Sequence, residues 1–267
     1  DLYRIISKFQ SDKGLDKLKT ASPPIAMTMK EEIPEVEFAV RVLNPPGVAQ
    51  SLIRYQDNLF YETDGFIADS TLFDVFTYEL KEGNQKKALT QGNSVVLSEK
   101  LSQKLFGNES ALDKIISISQ GGTPREYKVT GIFVEKGKSH INANFFTSMT
   151  SAGWGEYVRT EGANQWAGNN FVPSYLKLVA GHNRADVEKK MNEVLLKHGA
   201  EAMKALGLHK TLALEPVKDI YLKSDVGQSP RITYLYVVAS IAVFILLIAC
   251  INFMNLSTAR SEKRAKE

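Results

Sequence analysis

The sequence predicts an α+β fold for residues 1–230, followed by one transmembrane helix at residues 231–259. Strand-like and helix-like patterns alternate irregularly along residues 1–230, without the steady βα alternation of a parallel sheet. Residues 232–259 then contain no charged side chain, and basic residues follow them closely. The chain has 43% hydrophobic and 24% charged residues, which is the balance of a globular protein rather than a disordered one.

Runs of alternating or β-branched apolar residues, separated by turn residues, predict the strands. These runs are residues 2–9, 36–43, 52–61, 65–68, 94–97, 115–119, 127–134 and 175–179. Gly121 and Gly122 separate two of the runs, so we expect a β-hairpin there. Residues 212–214 and 220–222 are predicted as the last strands, which return the chain to the membrane.

Three segments predict helices from their caps and their apolar spacing. Residues 25–33 form the first helix, which Pro34 ends. Ser98 caps the second, which has apolar residues four apart and Gly107 as its C-terminal stop. Asn183 caps the third and longest helix. The apolar face of that helix consists of Val187, Met191, Val194 and Leu195.

Two segments give weaker signals. Asp69 or Ser70 is expected to cap a short helical turn that carries apolar residues on one side. Residues 151–170 show no clear period, and the sequence therefore predicts a loop there.

Residues 232–259 exceed the length of about 20 residues that a helix needs to cross ~30 Å of hydrocarbon. Residues expected within the membrane span are Tyr234, Val243, Leu247, Cys250 and Phe253. An aromatic ring at the first of these positions suits the headgroup region. The alternative is a buried core helix of a soluble protein, although core helices of this length without charge are rare.

Basic residues follow the apolar segment and set its predicted orientation. They are Arg260, Lys263, Arg264 and Lys266. Because cytoplasmic flanks carry an excess of Lys and Arg, we expect residues 260–267 to begin a cytoplasmic segment and residues 1–230 to lie outside. We also expect a longer protein, in which an upstream segment delivers Asp1 to that side.

The net charge of +3 is concentrated in this terminal run, and the rest of the chain is nearly neutral. A nucleic-acid-binding protein would carry a basic face, so no nucleic-acid partner is expected. Cys250 is the only cysteine, which excludes an intrachain disulfide.

No pattern in the sequence predicts catalysis. Residues 131–139 resemble a phosphate-binding loop, but five residues instead of four separate the two glycines, and no clear helix start follows. The four histidines lack the spacing of a metal site, and no Gly-x-Ser-x-Gly elbow is present. We therefore expect no catalytic residue, no cofactor and no metal.

Several short motifs, taken in order, resemble one family. They are Leu-Tyr-Arg-Ile at residues 2–5, Ala-Asp-Ser-Thr-Leu-Phe-Asp-Val-Phe at 68–76, Gly-Asn at 83–84, Ser-Val-Val-Leu-Ser-Glu at 94–99, Leu-Phe-Gly at 105–107, Val-Thr-Gly-Ile-Phe at 129–133, Ile-Tyr-Leu-Lys-Ser at 220–224 and Ile-Ala-Cys-Ile-Asn-Phe-Met-Asn-Leu-Ser-Thr-Ala-Arg at 248–260. Together they resemble a MacB-like periplasmic core domain followed by the start of an FtsX-like permease domain, in the form common among Bacteroidetes.

The resemblance implies a permease subunit of an ABC transporter in the bacterial inner membrane, with residues 1–230 in the periplasm. It implies two lobes, an α/β lobe near the membrane and a β-rich lobe inserted at roughly residues 61–170. The expected partners are the lipid bilayer, a separate ABC ATPase subunit, a second permease in a homo- or heterodimer, and a periplasmic substrate or protein.

In such a subunit, ATP hydrolysis in the cytoplasm drives conformational change in the periplasm, for export, extraction or signalling. Gly227 and Pro230 interrupt the path between residue 220 and the membrane helix, and we expect either a hinge or a kinked joint there. A protein of a different functional class also fits the exterior domain and the single helix. A single-span receptor would need only an exterior ligand-binding domain and one helix.

Overall fold

The computed structural model describes residues 1–11, 14–134, 139–227 and 230–265, and the side chains within residues 1–258 of these ranges and of Arg260. The chain divides into two compact units, Asp1–Val217 and Lys218–Glu267.

The elements follow one another in a mixed order. The strands are β1 Leu2–Ser11, β2 Gly14–Leu18, β3 Val36–Leu43, β4 Ser51–Tyr55, β5 Asn58–Glu62, β6 Gly65–Ala68, β7 Glu79–Gly83, β8 Ser94–Ser98, β9 Ile115–Ser119, β10 Arg125–Val134, β11 Phe145–Ser148, β12 Ser174–Leu178 and β13 His209–Pro216. The helices are α1 Ile25–Glu32, α2 Leu72–Val75, α3 Glu99–Phe106, α4 Trp154–Arg159, α5 Arg184–Ala205 and α6 Arg231–Ala265, and short 3₁₀ turns form at Glu161–Asn164 and Val217–Asp219.

The strands form one mixed sheet within Asp1–Val217. Its order is β13-β1-β12-β3-β6-β11-β8-β10-β9-β4-β5, and β2 and β7 pair with β1 and β10. Parallel pairing occurs between β6 and β11 and between β8 and β10, and the other named pairs are antiparallel. The predicted α+β class is confirmed. The predicted inserted lobe at residues 61–170 stays a prediction.

The helix caps predicted from the sequence form as expected. The Ser98 hydroxyl accepts a hydrogen bond from the Leu101 amide at 3.2 Å, and the Asn183 side-chain oxygen accepts one from the Ala185 amide at 2.9 Å. Gly107 ends α3 with a φ of 64°, which a residue with a side chain adopts only at a cost.

Four local predictions are wrong. Residues 52–61 form the hairpin of β4 and β5 instead of one strand, because the chain turns between Tyr55 and Asn58. Residues 151–170 contain a helix and a 3₁₀ turn instead of a plain loop, because elements this short show no period and are fixed by contacts elsewhere. Residues 220–222 form a turn and not a strand. Neither Asp69 nor Ser70 caps α2 with its side chain; the helix follows Thr71, and the Asp69 carboxylate binds Arg41 instead.

Separate apolar clusters lie along the sheet. Helices α1 and α5 pack on β1, β3, β12 and β13 through fully buried residues such as Ile5, Met29 and Met191. A second cluster is aromatic, with Tyr78 in edge contact with Phe133 and Phe146 at 5.4 and 5.3 Å between ring centroids. A third buries α3 against β8 and β10. Each cluster therefore holds a helix or an aromatic group against its own part of the sheet.

A buried ion pair links β3 to the segment after β6. Arg41 and Asp69 are only 6% and 8% exposed. The Asp69 carboxylate accepts hydrogen bonds from Nε and Nη2 of Arg41, both at 2.9 Å, and from the Arg41 amide at 2.8 Å. Nη1 of Arg41 donates to the Pro23 carbonyl at 3.1 Å. Because all three guanidinium nitrogens donate hydrogen bonds, to Asp69 and to the Pro23 carbonyl, the pair fixes three chain segments at one point.

A second polar group surrounds His140, whose ring lies against Tyr175 while part of the residue stays exposed. Its Nε2 lies 2.9 Å from the Tyr175 hydroxyl, and Arg4 donates to the Glu215 carboxylate through Nε at 3.0 Å. Burial, with a smaller effect of the Arg4 charge, lowers the pKa of His140 to about 4. Burial also raises the pKa of Tyr175. His140 is therefore neutral at neutral pH.

Replacing Asp69 with Asn is expected to lower the free energy of unfolding by about 3–5 kcal/mol, since it leaves the Arg41 charge buried without its partner. Asp113→Asn is the matched control, because Asp113 pairs with Lys128 at the surface, where both side chains are more than half exposed. Urea unfolding of the full chain in detergent measures both variants. Equal effects of the two substitutions would contradict the importance of the buried pair.

Stability is expected to fall as the pH drops from about 6.5 to about 4, in part because of His140. In that range the unfolded chain takes up a proton on this histidine and the folded chain does not. His140→Gln removes this contribution, so its unfolding free energy should depend less steeply on pH over that window. His209→Gln, on β13, replaces a histidine at another place in the sheet and is compared with His140→Gln in urea unfolding at a series of pH values.

Candidate functional site

Helix α6 contains all of the residues predicted for the membrane span. Within Arg231–Thr258, the most apolar window of 18 residues has a mean hydropathy of 2.7, and none of that window is buried. Tyr234, Val243, Leu247 and Phe253 are 66%, 56%, 51% and 73% exposed, and Cys250 is also exposed. A core helix would bury these side chains, so the alternative of a buried core helix does not fit.

The length and the polar groups of α6 suit a lipid environment. Its 28-residue apolar stretch spans roughly 42 Å at ~1.5 Å per residue, which is enough to cross the hydrocarbon layer. The Ser240 hydroxyl donates to the Tyr236 carbonyl at 2.8 Å, and the Thr258 hydroxyl donates to the Met254 carbonyl at 2.9 Å. Both hydroxyls are thus satisfied within the helix, as a medium without water requires.

The predicted cytoplasmic flank lies at the end of this helix. Arg260 is exposed. Lys263 and Arg264 belong to the helical backbone, but their side chains lie outside the described residues, as does all of Lys266. The orientation of the flank stays a prediction.

The predicted hinge residues lie just before α6. Gly227 has a φ of 78°, and the Pro230 carbonyl accepts a hydrogen bond from the Thr233 amide at 3.1 Å. Residues 228–229 lie outside the described residues. Two contacts connect the first turn of α6 to the preceding turn: the Ile232 amide donates to the Leu222 carbonyl at 2.9 Å, and the Arg231 guanidinium lies 4.8 Å from the Tyr221 ring centroid. Whether this joint bends stays a prediction.

The remaining candidate chemistry is sparse. Among the described residues, no group of three His, Cys, Asp or Glu could hold a metal ion. The region that resembles a phosphate-binding loop includes residues 135–138, which lie outside the described part. His198 is stacked on Trp166 and lies 2.6 Å from a Glu32 oxygen, which is a structural arrangement.

A cavity of about 650 Å³ opens in the unit Asp1–Val217. The turn between β9 and β10, helix α4 and the segment before β12 line it. Trp154, Tyr157 and Phe171 supply an aromatic wall, with Trp154 in edge contact with Tyr157 and Phe171 at 5.8 and 5.9 Å between ring centroids. The side-chain amide of Asn169 donates to the Tyr157 hydroxyl at 3.3 Å, which orients that ring.

Polar groups around this cavity are few. Arg125 is the one charged residue of the lining among the described residues. A Cβ atom added at Gly153 would lie 3.0 Å from a terminal nitrogen of Arg125, and Gly153 has a φ of 87°. Glycine at this position therefore allows α4 to begin against the guanidinium. The side-chain nitrogen of Gln120 is buried and has no hydrogen-bond partner among the described residues.

Tyr127 also lines the cavity. Burial raises the pKa of its hydroxyl, so the group stays protonated at neutral pH. The sequence interpretation missed this cavity altogether, because its lining comes from segments as far apart as Pro46 and Phe171 and includes the region expected to be a loop. The glycine pair of the predicted hairpin was the one signal that marked part of it.

Solved structures share this fold. A domain of a putative permease protein from Porphyromonas gingivalis is 22% identical, with a TM-score of 0.66, over 80% of this chain and 89% of that one. The periplasmic region of MacB from Actinobacillus actinomycetemcomitans is 16% identical, with a TM-score of 0.53, over 81% of this chain and 90% of that one.

The extracellular domain of the noncanonic ABC-type transporter YknZ from Gram-positive bacteria is 16% identical, with a TM-score of 0.52, over 81% of this chain and all of that one. Among curated proteins, no match to the chain was found. The model of one protein family matches residues 1–198, and this confirms the resemblance found in the sequence: the chain belongs to the family of MacB-like periplasmic core domains.

Proposed function

We propose that this chain is the periplasmic domain and adjoining transmembrane helix of an ABC transporter permease subunit. In this role it couples ATP hydrolysis in the cytoplasm to a conformational change in the periplasm, which serves export, extraction or signalling. The carrying observation is that a periplasmic core domain is continuous in one chain with an exposed apolar helix long enough to cross a membrane. The solved structures with this fold include domains of a putative permease and of two transporters.

In this proposal the ATP is bound by a separate ABC ATPase subunit, because the sequence has no phosphate-binding loop of the required spacing. The permease acts as a homo- or heterodimer in the inner membrane, with residues 1–230 in the periplasm and residues 260–267 in the cytoplasm. Residues 61–170 form the inserted lobe. The family match favours the permease over the single-span receptor, since the family is that of a transporter domain.

The mechanical element of this proposal is the continuity of the chain from α6 into the sheet. Strand β13 pairs with β1 over eight successive residue pairs, from Tyr3 with Pro216 to Gln10 with His209. A displacement that reaches residue 217 therefore pulls on a strand that cannot slide without breaking many hydrogen bonds. The ion pair of Lys223 with Asp219 at 3.0 Å and the contacts of Arg231 and Ile232 stiffen the approach to α6.

A flexible insertion at the joint is expected to uncouple this transmission. Six Gly/Ser residues placed after Gly227 in the full-length permease should abolish the ATP-dependent movement in the periplasm, while ATP hydrolysis by the associated subunit remains measurable. The movement is measured as the distance between spin labels at Leu59→Cys in the two subunits of the dimer, since Leu59 is 59% exposed, with Cys250→Ser to remove the native thiol.

The matched control is the same insertion after Gly181, in the exposed turn between β12 and α5, which should leave the movement intact. A full ATP-dependent distance change with the insertion after Gly227 would contradict transmission through the joint. Failure of the permease to associate with any ATPase would contradict the proposed function itself.

A further inference from the structure

The cavity beside α4 has the size and the character of a ligand site. Its volume of about 650 Å³ lies within the range of roughly 300–1,000 Å³ that small-molecule sites occupy. Ile118 and Ile67, 2% and 5% exposed, form apolar floor positions. The aromatic wall of Trp154, Tyr157 and Phe171 is only partly buried. An apolar molecule that covered these rings would remove apolar surface from water.

The charge of the lining favours an anion. Arg125 is the charged lining residue and no carboxylate accompanies it among the described residues. The ion pairs of the described residues do not include Arg125. A guanidinium in an apolar cavity presents parallel N–H donors, which match the two oxygens of a carboxylate.

A second hydrogen-bond donor, on Gln120, also favours an anionic ligand. The side-chain nitrogen of Gln120 is buried without an acceptor among the described residues, and such a group carries a desolvation cost until it is paired. Gln120 directly follows β9, and Arg125 begins β10, where it pairs with Ile118. The two donors therefore flank the same hairpin turn, at the polar edge of an otherwise apolar cavity.

We propose that this cavity binds an apolar molecule that carries a single carboxylate. The apolar body lies against Trp154, Tyr157 and Phe171, and the carboxylate accepts hydrogen bonds from Arg125 and Gln120. Two sources share this chemistry, a fatty acid and the C-terminus of an apolar peptide. A cationic ligand would find no counter-charge in the described lining, and a neutral one would leave the guanidinium unpaired.

Trp154 makes the binding directly measurable. The chain has two tryptophans, and the other, Trp166, is buried against His198 outside this cavity. In the full chain carrying Trp166→Phe, the fluorescence of Trp154 reports on the cavity. The probes are octanoate and N-acetyl-Leu-Phe with a free carboxylate, each compared with its carboxamide, which keeps the shape and removes the charge.

At least one carboxylate should change the fluorescence saturably and bind at least about tenfold more tightly than its amide, the effect expected of a charge-assisted hydrogen bond. Arg125→Gln should remove this preference and leave amide binding unchanged, and Arg125→Lys should retain part of it. Arg54→Gln, at an exposed position on β4, is the matched control and should behave as the parent.

Saturation by octanoate alone identifies a lipid-derived acid, and saturation by the peptide alone identifies a peptide terminus; both outcomes support the site. The proposal is overturned if neither carboxylate saturates, if carboxylate and amide bind equally, or if Arg125→Gln keeps the preference. The melting temperature of each variant shows that it is folded. If Arg125→Gln does not fold, Gln120→Met provides the second test, with an expected loss of carboxylate affinity that exceeds the loss of amide affinity.

Discussion

The buried ion pair of Arg41 with Asp69 lies where two parts of the sheet are joined. Strand β3 pairs with β12 on one side and, through Val42 and Leu43, with β6 on the other. The Asp69 carboxylate binds the Arg41 side chain and amide, and the Asp69 amide donates to the Arg41 carbonyl at 3.2 Å. Because β3–β6 pairing covers only two residue pairs, this cluster supplies much of what holds the two halves of the sheet in register.

The sequence predicts elements whose signal is local. Ser98 and Asn183 cap helices because their side chains reach amides two or three residues away, and α6 is evident from composition alone. Features formed by residues that are far apart in the sequence are not predicted. Asp69 has the residue type of a helix cap, but a distant arginine takes its carboxylate, and α4 is fixed by ring contacts between Trp154 and Phe171. No periodic pattern in the sequence predicts the cavity, since separate segments of the chain line it.

Buried cations elsewhere in this domain are satisfied by the protein itself. Arg4 binds Glu215. Lys210 is 3% exposed and donates to the Ser22 hydroxyl and the Trp166 carbonyl at 2.7 and 2.8 Å, and burial lowers the pKa of its amine to about 7. Arg125 lies at an apolar cavity and differs from these two buried cations. Arg125 is half-buried at the cavity and takes part in none of the ion pairs of the described residues, which is the arrangement expected of a binding site and not of a structural pair.

Part of the cavity lining lies apart from the strands and clusters that maintain the fold. Relatives at 16–22% identity keep the fold, because backbone pairing and buried apolar clusters tolerate many side-chain exchanges of similar volume. Part of the lining comes from the turn after β9, the first turn of α4 and the segment around Asn169, which lie outside the strand ladder, whereas Ile67, Ile118, Arg125 and Tyr127 belong to strands. Substitutions in the turn, in α4 or around Asn169 can alter what is bound without disturbing β3 or its partners. One fold of this kind can therefore serve chains with different ligands, and the residues to compare among relatives are those at positions 120, 125 and 154.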